Sequence, residues 1–223
     1  MHLLDSTIGY MKQKNNIKIS YAITVCNELQ EAVRLIDLLH THKRGTDEIC
    51  VLLDKPKASP ELENYLIRCE DAGWIVLRED VFDHDFADWK NILNSMCTGD
   101  YIFQIDADEY PNPTLIENLP VILQSNPDVD LYMIPRINTV SGLTDAHVQK
   151  WGWFVNERGW VNFPDSQSRI YKNISYIRWD GRVHERITGF KKYTMLPPSE
   201  EFCLYHPKTI ERQEKQNDYY ETL

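Results

Sequence analysis

Between residues 17 and 106 the chain alternates short β-branched runs with segments of helical period, and three of its four strand-like runs stop on acidic or amide residues. Ile17–Val25 is an apolar run that ends at Cys26-Asn27-Glu28. Leu29–His40 then carries Leu29, Val33, Leu35, Ile36 and Leu39 at the spacing of an amphipathic helix. Glu48–Leu53 reads as a second strand, closed by Asp54. Pro60–Ala72 reads as a helix with Ser59 as its N-cap, Pro60 in the first helical position and Gly73 beyond its end. Trp74–Leu77 is a third strand, Asp85–Cys97 a helix closed by Gly99, and Asp100–Ile105 a fourth strand running into Asp106-Ala107-Asp108-Glu109.

This order predicts an α/β fold, a Rossmann-like, mainly parallel sheet with helices on both faces. Ligands of such sheets bind beyond the carboxyl ends of the strands. Asn27 and Glu28, then Asp54, then Asp106 and Asp108 all fall at such ends. After Pro120 the alternation gives way to short strands at Leu131–Ile134, Ser168–Tyr171 and Ile174–Ile177, mixed with prolines and an aromatic stretch from Trp151 to Trp160. We expect one domain over 1–223: a nucleotide-binding half over 17–120 and an irregular, mixed half over 121–223 that covers the strand ends. The tail Thr209–Tyr220 reads as a polar helix with Glu211 and Lys215 paired four apart.

Composition narrows the classes. The formal net charge is −10, which opposes broad binding to long nucleic acid, since that needs a basic surface. No apolar run approaches the roughly 20 residues that span a bilayer. Asp5 and the basic Lys12–Lys14 patch do not form a signal peptide. The five cysteines, Cys26, Cys50, Cys69, Cys97 and Cys203, are widely spaced without a C-x-x-C pair, which fits a reducing compartment and neither a zinc site nor a disulfide framework. These features predict a cytoplasmic protein without stable membrane insertion, placed in the host cytoplasm if its source is a bacteriophage.

The chemistry centres on Asp106-Ala107-Asp108. In extended chain, residues two apart point the same way, so the two carboxylates are expected to face one site. Hard divalent cations take oxygen ligands, and Mg²⁺ is commonly held by one or two carboxylates together with substrate phosphates. Such a cation can neutralise a diphosphate as it leaves.

With those residues in place, the chain resembles the family 2 glycosyltransferases of the GT-A fold. The resemblance rests on Ile23-Thr24-Val25-Cys26-Asn27-Glu28, on Trp89-Lys90-Asn91, and on Tyr101-Ile102-Phe103-Gln104-Ile105-Asp106-Ala107-Asp108-Glu109. It continues in Pro164-Asp165-Ser166-Gln167-Ser168-Arg169-Ile170-Tyr171, Gly181-Arg182-Val183-His184-Glu185 and Tyr205-His206. It implies that Thr24, Asn27 and Glu28 line a nucleotide pocket and that Asp54 contacts the base or ribose. Lys90, where the family usually has arginine, would contact the donor beside Asn91. Asp106 would lie near the ribose and sugar, while Asp108 and His206 would bind Mn²⁺ or Mg²⁺. A direct displacement needs a general base, and both Asp165 and Glu185 are candidates. The implied reaction moves a sugar, hexose or pentose, from a nucleotide-sugar donor, uridine by resemblance, with inversion.

The acceptor is expected to be an envelope saccharide or lipopolysaccharide, or a hydroxymethylated DNA base of a bacteriophage. One or two of Trp151, Trp153, Phe154 and Trp160 are expected in the acceptor cleft. Arg169, Arg182, Lys208 and Arg212 are candidate diphosphate or acceptor contacts. Two other classes share parts of this pattern. A metal-dependent phosphoesterase also gathers carboxylates at strand ends, although an aspartyl-nucleophile enzyme would place its Asp-x-Asp after the first strand. A non-catalytic nucleotide-sugar or carbohydrate-binding module would not need the candidate bases.

Overall fold

The computed structural model describes residues 17–221, so the N-terminal Asp5 and Lys12–Lys14 readings lie outside the described residues. The first half follows the expected alternation. Strand β1 (Ile19–Val25) leads to helix α1 (Leu29–His42), β2 (Glu48–Asp54), α2 (Pro60–Asp71), β3 (Val76–Asp80), α3 (Phe86–Asn94) and β4 (Tyr101–Asp106). Strands β3, β2, β1 and β4 lie side by side in that order, all parallel. Ser59 caps α2 by accepting from the Leu62 backbone N–H, and Asp85 caps α3 by accepting from that of Asp88.

Alternation along the inner strands buries both faces. Ile19, Tyr21, Ile23 and Val25 of β1 pack with Leu35, Ile36 and Leu39 of α1 and with Leu62 and Leu66 of α2. On the other face Ala22, Leu52 and Ile102 meet Ala87, Trp89 and Leu93 of α3. Each fully buried aliphatic side chain contributes roughly 2 kcal/mol, so the two layers hold the sheet as a stiff platform.

Four sequence expectations shift. The third strand starts at Val76 rather than Trp74, because the Trp74 N–H closes the end of α2 on the Cys69 carbonyl and its ring stacks on His40 with centroids 4.1 Å apart. A helix absent from the sequence reading, α4 (Pro113–Ser125), runs straight through Pro120. Burial of Leu115, Ile116, Leu119 and Leu123 against the sheet outweighs the lost hydrogen bond, a cost of about 3 kcal/mol. Ser168–Tyr171 is only the end of a longer strand, β7 (Val161–Lys172). Ile174–Ile177 is a turn, with the Ile177 N–H bonded to the Ile174 carbonyl.

The second half extends the same sheet. After the short β5 (Tyr110–Pro111) and α4 come β6 (Leu131–Ser141), α5 (Asp145–Trp151), β7, β8 (Arg178–Asp180), β9 (Arg186–Thr188), β10 (Tyr193–Met195), β11 (Leu204–Thr209) and α6 (Ile210–Glu221). Beyond β4 the order is β7, β6, β11, β5, with β10 also pairing β6. Strand β7 is antiparallel to both β4 and β6. Hairpin β8–β9 packs onto α3 through Trp179 and Ile187. It is followed by Gly189, whose φ is +85° and whose missing side chain makes room for the Tyr176 carbonyl, 1.8 Å from where a Cβ would stand.

Candidate active site

A cavity of about 1010 Å³ opens at the carboxyl ends of β1, β2 and β4. Thr24 and Glu28 line it from β1 and the turn beyond, Asp54 from β2, and Asp106 and Asp108 from the end of β4. Lys90 reaches it from α3, Arg169 from β7, His206 and Lys208 from β11, Arg212 from α6, and Glu185 from the turn between β8 and β9. Thr24 and Arg212, 188 positions apart in the chain, thus share one crevice.

The acidic pair converges through a turn rather than through an extended strand. Strand β4 ends at Asp106, whose carbonyl accepts from the Glu109 N–H at 2.9 Å. Glu109 is wholly buried, and its Oε1 accepts from Arg136 at 2.8 Å and Arg169 at 2.7 Å. Arg169 also bonds Asp106 at 2.7 Å. Burial pushes the Asp106 carboxyl up, but the charges of Arg169 and Lys90 and the hydrogen bond from Arg169 outweigh it and hold the group below the usual carboxylate range. Asp106 is therefore an anion at neutral pH.

Asp108 faces His206, with Oδ2 and Nε2 3.3 Å apart, and Arg212 lies at the same distance from that oxygen. Burial raises the Asp108 carboxyl, while the hydrogen bond and charge that His206 supplies when its ring is doubly protonated bring it below its ordinary value. Among the described residues no cluster of three or more His, Cys, Asp or Glu side chains gathers to hold a metal by itself. The Asp108 carboxylate and the His206 imidazole nevertheless fit a hard or borderline divalent cation whose remaining ligands are water and substrate phosphate.

Lys90 is buried beside two carboxylates and an indole ring. Its Nζ lies 2.6 Å from Glu185, 3.8 Å from Asp106 and 4.3 Å from the Trp179 ring centroid. Glu28 accepts from the Cys26 and Asn27 backbone N–H groups, both at 3.0 Å, and so shapes the turn after β1. Asp54 accepts from the Phe82 N–H at 3.2 Å and pairs with Lys57 at 3.1 Å.

Several expected residues stand elsewhere. Asn27 is not part of the cavity wall. Asn91 faces β8, donating to the Trp179 carbonyl at 2.9 Å and accepting from its N–H at 3.0 Å, so it clamps the hairpin to α3. Asp165 also lies outside the wall. Its Oδ2 accepts from Arg136 at 2.6 and 2.9 Å and from Asn138 at 2.9 Å, and its Oδ1 from Gln167 at 2.7 Å. None of Trp151, Trp153, Phe154 and Trp160 lines the cavity; Trp151 and Trp153 pack on one another, Trp160 packs on Phe163, and Phe154 is exposed. Arg182 holds the His84 carbonyl. The aromatic wall comes instead from Phe82, Phe86, Trp89, Trp179, Phe190 and Tyr193. Arg136 and Trp179 escaped the sequence reading, although Arg136 follows a proline in a strand-like run and Trp179 precedes the Gly-Arg-Val-His-Glu stretch.

The model of the family described as Glycosyl transferase family 2 matches residues 20–194. Among solved structures, S. aureus TarS 1-349 in complex with UDP-GlcNAc aligns with a TM-score of 0.57 at 12% identity, over 86% of this chain and 59% of that one. The same protein in complex with UDP aligns with a TM-score of 0.50 at 12% identity, over 70% and 47%. The chain spans about half the length of these neighbours. At such identity the likeness is one of fold, the GT-A arrangement of helices about a mainly parallel sheet.

Proposed function

Because this chain belongs to glycosyl transferase family 2, we propose that it transfers a sugar from a nucleotide-sugar donor to an acceptor hydroxyl, by direct displacement with inversion at the anomeric carbon. The observation that carries this reading is the meeting of Asp106, Asp108, His206 and Glu185 on one cavity at the strand ends. Thr24, Glu28 and Asp54 line the side on which the nucleotide would bind. The UDP and UDP-GlcNAc bound by TarS support uridine as that nucleotide.

Asp108 and His206 would hold Mn²⁺ or Mg²⁺, which, when bound, neutralises the departing diphosphate. Lys90, Arg169 and Arg212 add positive charge where the diphosphate would lie, and Asp106 orients the donor through its fixed, ionised carboxylate. Glu185 is the general base. It lines the cavity, whereas both Asp165 oxygens are already engaged by Arg136, Asn138 and Gln167. Glu185 takes the acceptor hydroxyl proton as that oxygen bonds to the anomeric carbon and the bond to the diphosphate oxygen breaks.

A saccharide is the acceptor we favour over a modified nucleobase in DNA. The net charge of −10 opposes a polyanion, and Phe190 and Tyr193 offer aromatic faces for sugar C–H groups. Among the described residues no helix is long and apolar enough to cross a membrane. The test is release of UDP from a panel of UDP-sugars with Mn²⁺ and saccharide acceptors. Release that needs both metal and acceptor supports the reading. Donor binding with no turnover on any acceptor would point to a binding module, and cleavage of simple phosphoesters to a phosphoesterase.

A further inference from the structure

Asp165 has a different task from proton abstraction. Strand register places Arg136 opposite Asp165 across β6 and β7, and His206 beside Asn138 across β11 and β6. A shift in strand register between Arg136 and Asn138 lies where both side chains meet the same carboxylate. Asp165 Oδ2 takes two bonds from Arg136, at 2.6 and 2.9 Å, so it is a carboxylate that can only accept. The group 2.9 Å away on Asn138 must then be the amide N–H₂, which leaves the amide oxygen pointing the other way. That oxygen lies 2.7 Å from His206 Nδ1 and can only accept, so Nδ1 carries a proton. The opposite nitrogen, Nε2, faces Asp108 Oδ2 at 3.3 Å.

We propose that Asp165 and Asn138 are positioning residues that fix the His206 proton on Nδ1, so that Nε2 and Asp108 present a lone pair and a carboxylate to one cation. The chain of contacts runs Arg136, Asp165, Asn138, His206, Asp108, and each link leaves the next a single choice of orientation. Metal-bound histidines generally depend on such an acceptor behind the ring, and its loss weakens metal binding. The inference rests on the reading of Asp108 and His206 as cation ligands, but the tautomer it assigns can be read without any metal.

The first experiment is ¹⁵N-edited NMR of the histidine rings in the wild-type chain, at a pH where imidazoles are neutral. The expected result is a His206 ring protonated at Nδ1, the reverse of the form favoured by a free histidine side chain. A ring protonated at Nε2 overturns the proposal. The second is titration of Mn²⁺ in the presence of UDP, following the free-ion paramagnetic signal. Asn138→Leu should bind about 10- to 100-fold more weakly than wild type. The exchanged pair, Asn138→Asp with Asp165→Asn, restores an acceptor behind Nδ1 and should recover most of that loss. A folded Asn138→Leu protein that binds Mn²⁺ like wild type, or an exchanged pair as weak as the single variant, also overturns it. If the wild-type chain itself binds no Mn²⁺, the cation reading of the site fails, and the tautomer measurement still decides the relay.

Discussion

Lys90 Nζ lies 2.6 Å from Glu185 Oε1, so a buried ammonium holds the carboxylate proposed as the general base. The same ammonium is 3.8 Å from Asp106, so Lys90 lies between the two carboxylates. On the proposed mechanism, a diphosphate arriving beside Lys90 would compete for its charge and free Glu185 to act as a base. Glu185→Gln keeps the shape and a hydrogen bond to Lys90 but cannot take a proton. Its kcat should fall about 10²- to 10⁴-fold, the usual contribution of general-base catalysis, while UDP affinity is kept or tightened because the carboxylate no longer competes for Lys90. Steady-state UDP release and calorimetric UDP binding measure the two, and turnover close to wild type would falsify the assignment of the base.

Asp108→Ala should abolish the metal-dependent part of the thermal stabilisation given by a UDP-sugar. Ligand at 100 times its dissociation constant stabilises a native state by about 2.7 kcal/mol, and the part that needs Mn²⁺ should vanish while the metal-independent part stays. Thermal-shift curves with donor alone, and with donor plus Mn²⁺, separate the two parts. A variant that retains the full Mn²⁺ increment shows that the cation is held elsewhere.

Acid stability should depend on Glu48. Burial raises its carboxyl, but hydrogen bonds from Lys18, Ser20 and Thr98 overcome that and bring it from 4.5 down to about 2. Because the folded value lies below the unfolded one, the folded state binds fewer protons between them. The stabilisation is complete above pH 4.5 and drains away as the pH falls towards 2. Allowing for solvent around Lys18, it is worth on the order of 2 kcal/mol. Urea denaturation from pH 7 to pH 2 should show wild type and Glu48→Gln converging at the acid end, and a gap that is constant with pH refutes the ionic origin.

Gly189→Ala should destabilise the chain by ~3 kcal/mol, since the added methyl group both opposes a positive φ and strikes the Tyr176 backbone. The wall formed by Ile187, Phe190 and Tyr193 flanks that turn, so the KM for acceptor should rise more than the KM for donor. Chemical denaturation and the two KM values check this. An unchanged midpoint would mean that the backbone there yields easily.

The first half was readable because its signals are local. β1, β2 and β4 are runs buried on both faces, bounded by caps and by acidic ends, and their order alone implies where a ligand crevice lies. The second half resisted because its determinants are non-local. Nothing near Ile174–Ile177 shows that this apolar run turns while Arg178–Asp180 pairs, and Pro120 misleads until the burial of its helix is seen. Asp165 illustrates the same gap within the site. Its motif suggested a base, yet the partners that engage it, Arg136 and Asn138, come from another strand, 29 and 27 positions away. Conversely, Trp151 to Trp160 drew notice as an aromatic run, while the rings that face the cavity are scattered from Phe82 to Tyr193.

Strand β7 runs against both of its neighbours, and so it is a seam. Asp106 and Asp108 come from one side of it, Asn138, His206 and Lys208 from the other, and Arg169 from the seam itself. A substrate lodged in the crevice therefore bridges two panels stitched by a single reversed thread. Recasting the stretch from Val183 to Tyr193, which lines the crevice, would retailor the wall proposed for the acceptor without unpicking β1, β2 and β4, a route by which one scaffold could come to serve different acceptors.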